Sequence, residues 1–234
     1  MIEQFEKIGI SFDDDYKKLI DDYVDFFNQY NQNVNLISSN DMAVFWEKHL
    51  FDSLALNLFF TKYSVKKDIK LLDIGTGGGF PSVPLALTFT EMKVFALDSI
   101  NKKIAFINQV KEKFELDNLQ TICSRIEDLP QKYRNSFDIV TSRAMAELRI
   151  ILECAIPYVK KGGYFVAYKS IKADEEIKNA QNALKKLNAK IVDIIEYELP
   201  IQEKNKRVFI VVKKEKDTDS IYPRKNGLMK KKPL

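Results

Sequence analysis

The 234-residue sequence predicts an α/β protein. Its expected form is a seven-stranded, mostly parallel sheet with helices on both faces, preceded by a helical N-terminal extension. Three observations carry this. From Lys70 onward, short runs rich in branched and aromatic residues alternate with segments of helical periodicity. No strand-like run precedes residue 68. The last two strand-like runs follow one another with no helix between, which predicts an antiparallel pair at one edge. The boundaries drawn from these shifts are 1–66 for the extension, 67–213 for the α/β domain and 214–234 for a basic tail.

In the extension, DDDYKKLIDDYVDFFNQY sets Tyr16, Leu19, Ile20, Tyr23, Val24, Phe27 and Tyr30 at three- and four-residue spacings. Its acidic start suits a helix N-terminus. The polar break NQNVNLISSN follows, with Ser39, Asn40 or Asp41 expected to cap a second helix, DMAVFWEKHLFDSLALNLFF. Phe45 and Trp46 are expected in the core.

The α/β part begins with the buried strand IKLLDIG, then the helix FPSVPLALTF with Pro81 at its first position. MKVFALD is a strand. NKKIAFINQVKEKFEL is an amphipathic helix with Ile104, Ile107, Val110 and Phe114 on one side. LQTICS, FDIVTS and YFVAYK read as strands, and ELRIILECAIPYV as a helix that stops before KKGG. ADEEIKNAQNALKKL is the final helix of this part, followed by the strands KIVDIIEYEL and RVFIVVKK.

Two distant cysteines and one histidine exclude a disulfide framework and a zinc centre, so no metal is expected. The start MIEQFEKIGISFDDD has neither a basic nor an apolar signal region, and no apolar run approaches ~18 residues. A cytoplasmic, membrane-free setting is therefore expected, with the chain acting as a monomer. The net charge is +4, and from Lys213 onward there are eight Lys/Arg against three Asp/Glu. The remainder is close to neutral, and the concentrated positive charge suits a polyanionic partner or a solvated tail.

The stretch LLDIGTGGGFPSVPLAL places four glycines in five positions between a strand and a helix. Ligands of open α/β sheets bind at such turns. A P-loop is excluded, because no Gly-Lys-Ser/Thr supplies the lysine and the magnesium ligand. A dinucleotide fits poorly, because Phe80 stands at the third glycine position and Pro81 removes a donor from the helix start. The pattern Asp73-x-Gly75-x-Gly77-x-Gly79 suits a nucleoside cofactor without phosphate, S-adenosyl-L-methionine. Asp98 ends the next strand and can accept from both ribose hydroxyls. Glu127 or Asp128 can reach the adenine amine and the Ile126 backbone a ring nitrogen, or the segment is simply a polar connection. Arg143 follows the fourth strand and can bind the methionyl carboxylate, a substrate phosphate, or a surface carboxylate.

LLDIGTGGGFPSVPLAL, FALDSINKKIAFI, CSRIEDL and VTSRAMAEL, in this order, resemble the bacterial small-subunit ribosomal RNA guanine-N7 methyltransferases, also known as glucose-inhibited division protein B. NQNVNLIS, EKHLFDSLAL and the Tyr-Pro-Arg-Lys…Lys-Lys-Pro-Leu ending are similar to that family too, so the likeness spans essentially the whole chain. Gly78, Phe80, Ile37 and Ser38 depart from the family's usual residues. The resemblance implies a class I (Rossmann-like) methyltransferase. Such an enzyme methylates N7 of one guanine in 16S rRNA near the decoding region. It also implies cofactor contacts at Gly75, Phe80, Ile126, Glu127 and Arg143, with Asp98 at the ribose. The rival readings are an RNA-binding ribosome-assembly factor with a vestigial pocket and a nicotinamide-dependent oxidoreductase.

Guanine N7 carries a lone pair and no proton, so no catalytic base is assigned. No Asn-Pro-Pro-Tyr follows the fourth strand, and neither cysteine stands in a Pro-Cys context there. His49, Asp52 and Ser53 share one helix face. They are read as a packing cluster, with a role at the cofactor mouth or on RNA as the alternative. Arg224, Lys225, Lys230, Lys231 and Lys232 are expected to hold the RNA backbone while a pocket takes the base.

Overall fold

Seven strands form one sheet in the computed structural model, which describes residues 2–143, 145–171, 173–201 and 205–234, the side chain of Asn226 apart. They are β1 (Lys70–Ile74), β2 (Lys93–Asp98), β3 (Leu119–Cys123), β4 (Phe137–Arg143), β5 (Val159–Ser170), β6 (Ala189–Leu199) and β7 (Asn205–Lys214). Their order is β3-β2-β1-β4-β5-β7-β6. The pairs among β1 to β5 are parallel, and β7 runs antiparallel to both neighbours. The chain reverses its direction of winding between β1 and β4. That is the switch point at which α/β sheets open a crevice beyond the strand ends.

Alternation along the strands feeds two cores. Leu71, Ala96, Ile139, Val166 and Val211 enter one; Leu72, Leu97, Val140, Phe165 and Ile210 enter the other. The first core is covered by the N-terminal helices and by helices Ser82–Thr88 and Asn101–Lys113. Phe27 lies at its centre, 5.3 Å from the Phe80 ring and 5.2 Å from that of Phe106. The extension is therefore a layer of the fold, since the sheet's apolar face would otherwise be exposed to water.

Helix Asp14–Val34 outlasts the expected segment by a turn, with Asp13 accepting from Tyr16 N at 2.7 Å as its cap. A short unpredicted helix, Ile2–Glu6, precedes it. The expected second helix is broken into Ser39–Met42, a π-helical turn Trp46–Phe51, Asp52–Leu54 and Asn57–Lys62. Its cap is Ser38, which accepts from Asp41 N at 3.1 Å, one residue before the expected positions. Phe45 is buried and Trp46 packs against the core as a partly buried ring. Helix Leu148–Ala155 stops well before KKGG, which lies inside β5 instead. The pairing of β4 with β5 shifts register there, between Phe137 and Ile139. The expected helix over 173–187 is two, Asp174–Asn179 and Gln181–Lys186. Ala144, within the segment read as following the fourth strand, lies outside the described residues.

The tail is folded onto the second core through Tyr222, Met229 and Leu234, all buried, and includes helix Asn226–Lys231. Arg134 donates to the carbonyls of Thr218, Asp219 and Tyr222. Arg224, expected on RNA, is instead tied to Glu153. Its Nε meets Oε1 at 2.7 Å, its Nη2 meets Oε2 at 2.6 Å, and its backbone N–H adds a third bond at 2.9 Å. The Glu153 carboxylate is fully buried, and Arg224 is the counter-charge paired with it. Arg224→Ala should cost roughly 3–5 kcal/mol, the usual penalty for orphaning a buried charge. Glu153→Gln should cost less. A urea titration checks this, and an unchanged midpoint for Arg224→Ala would reject the role.

Candidate cofactor and substrate site

At the carboxyl ends of β1, β2 and β4 a cavity of about 640 Å³ opens, a volume suited to one small ligand. Its walls include Gly75, Leu97, Asp98, Lys103, Ile126, Glu127 and Arg143. Gly75 has φ +74°, and a Cβ there would stand 2.5 Å from Met145 Sδ. The Met145 side chain could swing aside, but the positive φ favours glycine here whatever the space.

Asp98 is nearly buried yet faces this cavity. Its Oδ2 accepts from Gly77 N at 3.0 Å and its Oδ1 from Ile100 N at 2.9 Å, with Lys103 Nζ 3.7 Å away. These bonds fix the carboxylate's orientation and leave lone pairs for a diol. Leu97, Ile126, Ile150 and Ile151 supply apolar wall, and Met229 and Lys230 reach it from the tail. An acid held for vicinal hydroxyls, apolar walls for a flat ring and a glycine cradle together fit S-adenosyl-L-methionine.

Three expected contact residues do not line this cavity. Asp73 is wholly buried beneath the glycine loop. Its Oδ2 accepts from Ser82 Oγ at 2.7 Å, and Thr76 donates to Ser82 at 2.9 Å. It joins strand end to helix start, so its influence on a ligand passes through the loop. Gly77, at φ +60°, serves by turning its N–H onto Asp98. Phe80 sits in the seam between loop and extension, 4.7 Å from the His49 ring and 5.2 Å beneath the Arg143 guanidinium. The cavity residues Ser99, Lys103, Met145, Ile150 and Met229 were assigned no role from the sequence. Ser99 and Lys103 lie within FALDSINKKIAFI and Met145 within VTSRAMAEL, and that membership is the local signal for these three.

Arg143 is largely buried, not a surface ion pair. Its Nη1 donates to Asp52 Oδ2 at 3.1 Å and to the Lys48 carbonyl at 3.0 Å, and its Nη2 to His49 Nδ1 at 2.9 Å. Asp52 also accepts from Tyr197 OH at 2.6 Å, and Ser53 Oγ donates to the His49 carbonyl at 2.6 Å. The packing reading of His49, Asp52 and Ser53 thus describes their bonds, but the cluster's partner is the site arginine. On its far side lies a second cavity, about 410 Å³, lined by His49, Asp52, Lys169, Glu176 and Arg207. Arg143 and Met145 line both cavities. A third, of about 420 Å³, lies by Val65–Lys67 and Met92, at the amino ends of the strands and away from the crevice.

This sheet order, glycine turn and acidic strand end define a class I methyltransferase that uses S-adenosyl-L-methionine. Solved structures agree at the level of fold. TYW2 of M. jannaschii in complex with AdoMet aligns with TM-score 0.53 and 15% identity over 64% of this chain and 70% of that one. A 16S rRNA (adenine(1408)-N(1))-methyltransferase variant from Catenulisporales acidiphilia aligns with TM-score 0.53 and 16% identity, covering 69% and 92%. The GidB family model, described as rRNA small subunit methyltransferase G, matches residues 16–208, and the chain belongs to that family. Ribosomal RNA small subunit methyltransferase G of Staphylococcus saprophyticus is 38% identical over 100% of this chain and 97% of its own length. The protein of that name from Bacillus licheniformis is 37% identical over 100% and 98%. The chain is therefore an enzyme, and the assembly-factor and oxidoreductase readings fall away.

Two buried groups beneath the site, His49 and Asp73, are shifted in opposite senses. Burial, helped by the adjacent Arg143 charge, pushes His49 down to about 3. Arg143 can only donate, so Nδ1 accepts and the proton sits on Nε2. Burial raises the Asp73 carboxyl to about 7, against the smaller opposing effect of Ser82. The stabilisation from neutral His49 is present above its unfolded pKa of about 6.5 and is lost as the pH falls toward 3. For Asp73 the contribution is present below about 4 and is lost as the pH rises through 7. The slopes oppose each other between about pH 4 and 6.5. Relative to wild type, His49→Gln should gain stability as the pH is lowered through that window, by up to about 1.4 kcal/mol per unit. Asp73→Asn should gain as the pH is raised. Urea unfolding across the window checks both, and curves parallel to wild type would refute the assignment.

Proposed function

We propose that this chain methylates N7 of one guanine in 16S rRNA, near the decoding region. The observation that supports this most is the meeting of two cavities at Arg143 and Met145, in a chain whose whole length matches the rRNA small subunit methyltransferase G relatives. One cavity has the fittings for the cofactor, and the other has room for a base. Bound S-adenosyl-L-methionine supplies a methyl group carried on positively charged sulfur.

The residues of the chain position and do not transfer protons. Asp98 would hold the ribose hydroxyls. Ile126 and Glu127 would border the adenine, and Gly75 would allow close approach of the methionyl part. Guanine N7 directs its lone pair at the methyl carbon. The chemistry the cofactor would supply is methyl transfer in which the C–S electron pair stays on sulfur as the N–C bond forms, so the positive charge would pass to the purine and the chain's residues need move no proton. The single histidine fits this chemistry, because His49 is held neutral, far below the range of a useful base, with Nδ1 engaged by Arg143. Alignment of nucleophile, methyl and sulfur then carries the rate, a contribution of up to about 7–11 kcal/mol in favourable cases.

N7 lies on the major-groove edge, closed to side chains in A-form RNA, so the target guanine must be in a loop or extruded. Lys225, Lys230, Lys231 and Lys232 are exposed on the docked tail, make no ion pair among the described residues, and can meet backbone phosphates. The protein acts as a monomer in the cytoplasm, on the small subunit or its rRNA.

The test is methyl transfer from radiolabelled cofactor to small subunits and to their naked rRNA. Asp98→Ala should abolish or strongly weaken cofactor binding in calorimetry. Replacing Lys230, Lys231 and Lys232 with alanine should reduce the salt slope of RNA binding by about one for each phosphate these lysines neutralise. No transfer to either substrate would overturn the reading. Full cofactor affinity in Asp98→Ala would overturn the site, and an unaltered slope would overturn the tail's role.

A further inference from the structure

The cavity beyond Arg143 has a charge pattern that packing alone does not explain. Four cations line it, Lys48, Arg143, Lys169 and Arg207, against three carboxylates, Asp41, Asp52 and Glu176. Lys48 pairs with Asp41, Arg143 with Asp52, and Lys169 with Glu176. Arg207 has no ion pair among the described residues, and its Nε is buried with no hydrogen-bond partner. It stands on β7, in register with Ser170 of β5 and Tyr197 of β6. A guanidinium at a cavity wall with no counter-charge among the described residues is suited to an oxyanion such as a phosphate.

Glu176 shows the complementary feature. Its Oε2 accepts from Leu148 N at 2.7 Å and from Lys169 Nζ at 2.6 Å. Lys169 is itself held by the Ala146 carbonyl at 2.9 Å. The carboxylate is thus fixed through one oxygen, while Oε1 makes no hydrogen bond among the described residues. A carboxylate fixed through one oxygen at the wall of a cavity of about 410 Å³ suits adjacent N–H donors. The Watson–Crick edge of guanine offers such a pair at N1 and N2, whereas adenine offers an acceptor at N1.

We propose that this second cavity is the subsite for the extruded guanine nucleotide, with Glu176 taking the N1–H and N2–H edge and Arg207 an adjoining phosphate. The proposal rests on the guanine-N7 reading and specifies its substrate contacts. It accounts for orientation, because N7 lies on the opposite side of the purine from N1 and N2. Anchoring the far edge on Glu176 leaves N7 free to face the wall shared with the cofactor cavity. The carboxylate also favours the purine cation that forms on transfer, since N1–H becomes a stronger donor as N7 takes the methyl. Arg207 and Glu176 act here as specificity and positioning residues, with no part in proton transfer.

The test measures methyl transfer to small subunits by wild type, Arg207→Ala, Arg207→Lys and Glu176→Gln in the full chain, with calorimetric cofactor affinity on each. Arg207→Ala should raise the KM for RNA about tenfold and reduce the salt slope by about one, with cofactor Kd within about twofold. Arg207→Lys should recover most of the loss. Glu176→Gln keeps an acceptor for Leu148 N–H but loses the charge, and it should lower kcat/KM about 10–100-fold at unchanged cofactor Kd. Wild-type kinetics in both Arg207→Ala and Glu176→Gln would overturn the subsite while leaving the N7 reading intact. So would loss of cofactor affinity in parallel with activity, which would mark a role in folding. Absence of N7 transfer by the wild type would overturn both.

Discussion

The burial of the Arg143 guanidinium is the constraint around which this molecule is arranged. An arginine keeps its charge at any ordinary pH, so it can leave water only where acceptors replace the water. Here Asp52, the Lys48 carbonyl and the His49 ring nitrogen supply them, and the Phe80 face closes one side. All but Phe80 come from the N-terminal extension, and Arg143 itself ends β4. The extension is thereby locked to the strand end that borders the cofactor cavity. The π-helical turn Trp46–Phe51 delivers Lys48 and His49 to the same guanidinium that Asp52 reaches just beyond it. Tyr197 and Tyr168, from β6 and β5, brace Asp52 and the Ser53 carbonyl from the sheet side.

How much of this was legible in the sequence depended on the range of the cause. The strands were legible, because a sheet buried on both faces needs near-continuous apolar runs, and LLDI, VFAL and FIVV satisfy that directly. The glycine loop was legible because positive φ and close approach leave few residue choices at Gly75 and Gly77. Asp98 followed from its place at a strand end. What local sequence does not show is whatever depends on a distant partner. Nothing local distinguishes Arg224 from a free tail arginine; its fate is set by Glu153, 71 residues earlier. Phe80 and Asp73 stand in the motif, yet one packs against the extension and the other holds the loop from below. The break in the second helix follows from the need to present His49 and Asp52 to Arg143, a demand that helical periodicity does not encode. The second cavity has contributors from the extension, β4, β5, helix Asp174–Asn179 and β7, so no sequence window contains it.

The same geometry accounts for chemistry without a base. The one histidine is consumed in holding Arg143, and burial keeps it neutral. Cys154, beside the cofactor cavity, is pushed up to about 12 by burial and is no nucleophile at neutral pH. Such a wall holds and aligns groups, and neither His49 nor Cys154 serves it as a base or nucleophile. That suits an acceptor atom with a free lone pair, and guanine N7 is one.

Alkaline borohydride reduction followed by aniline treatment of the modified 16S rRNA reads out whether N7 is the atom that accepts the methyl. N7-methylation labilises the imidazole ring to reduction, so strand scission is expected at one guanine, dependent on both enzyme and cofactor. Radiolabelled methyl incorporated into the rRNA with no cleavage would place the methyl on another atom and contradict N7 as the acceptor.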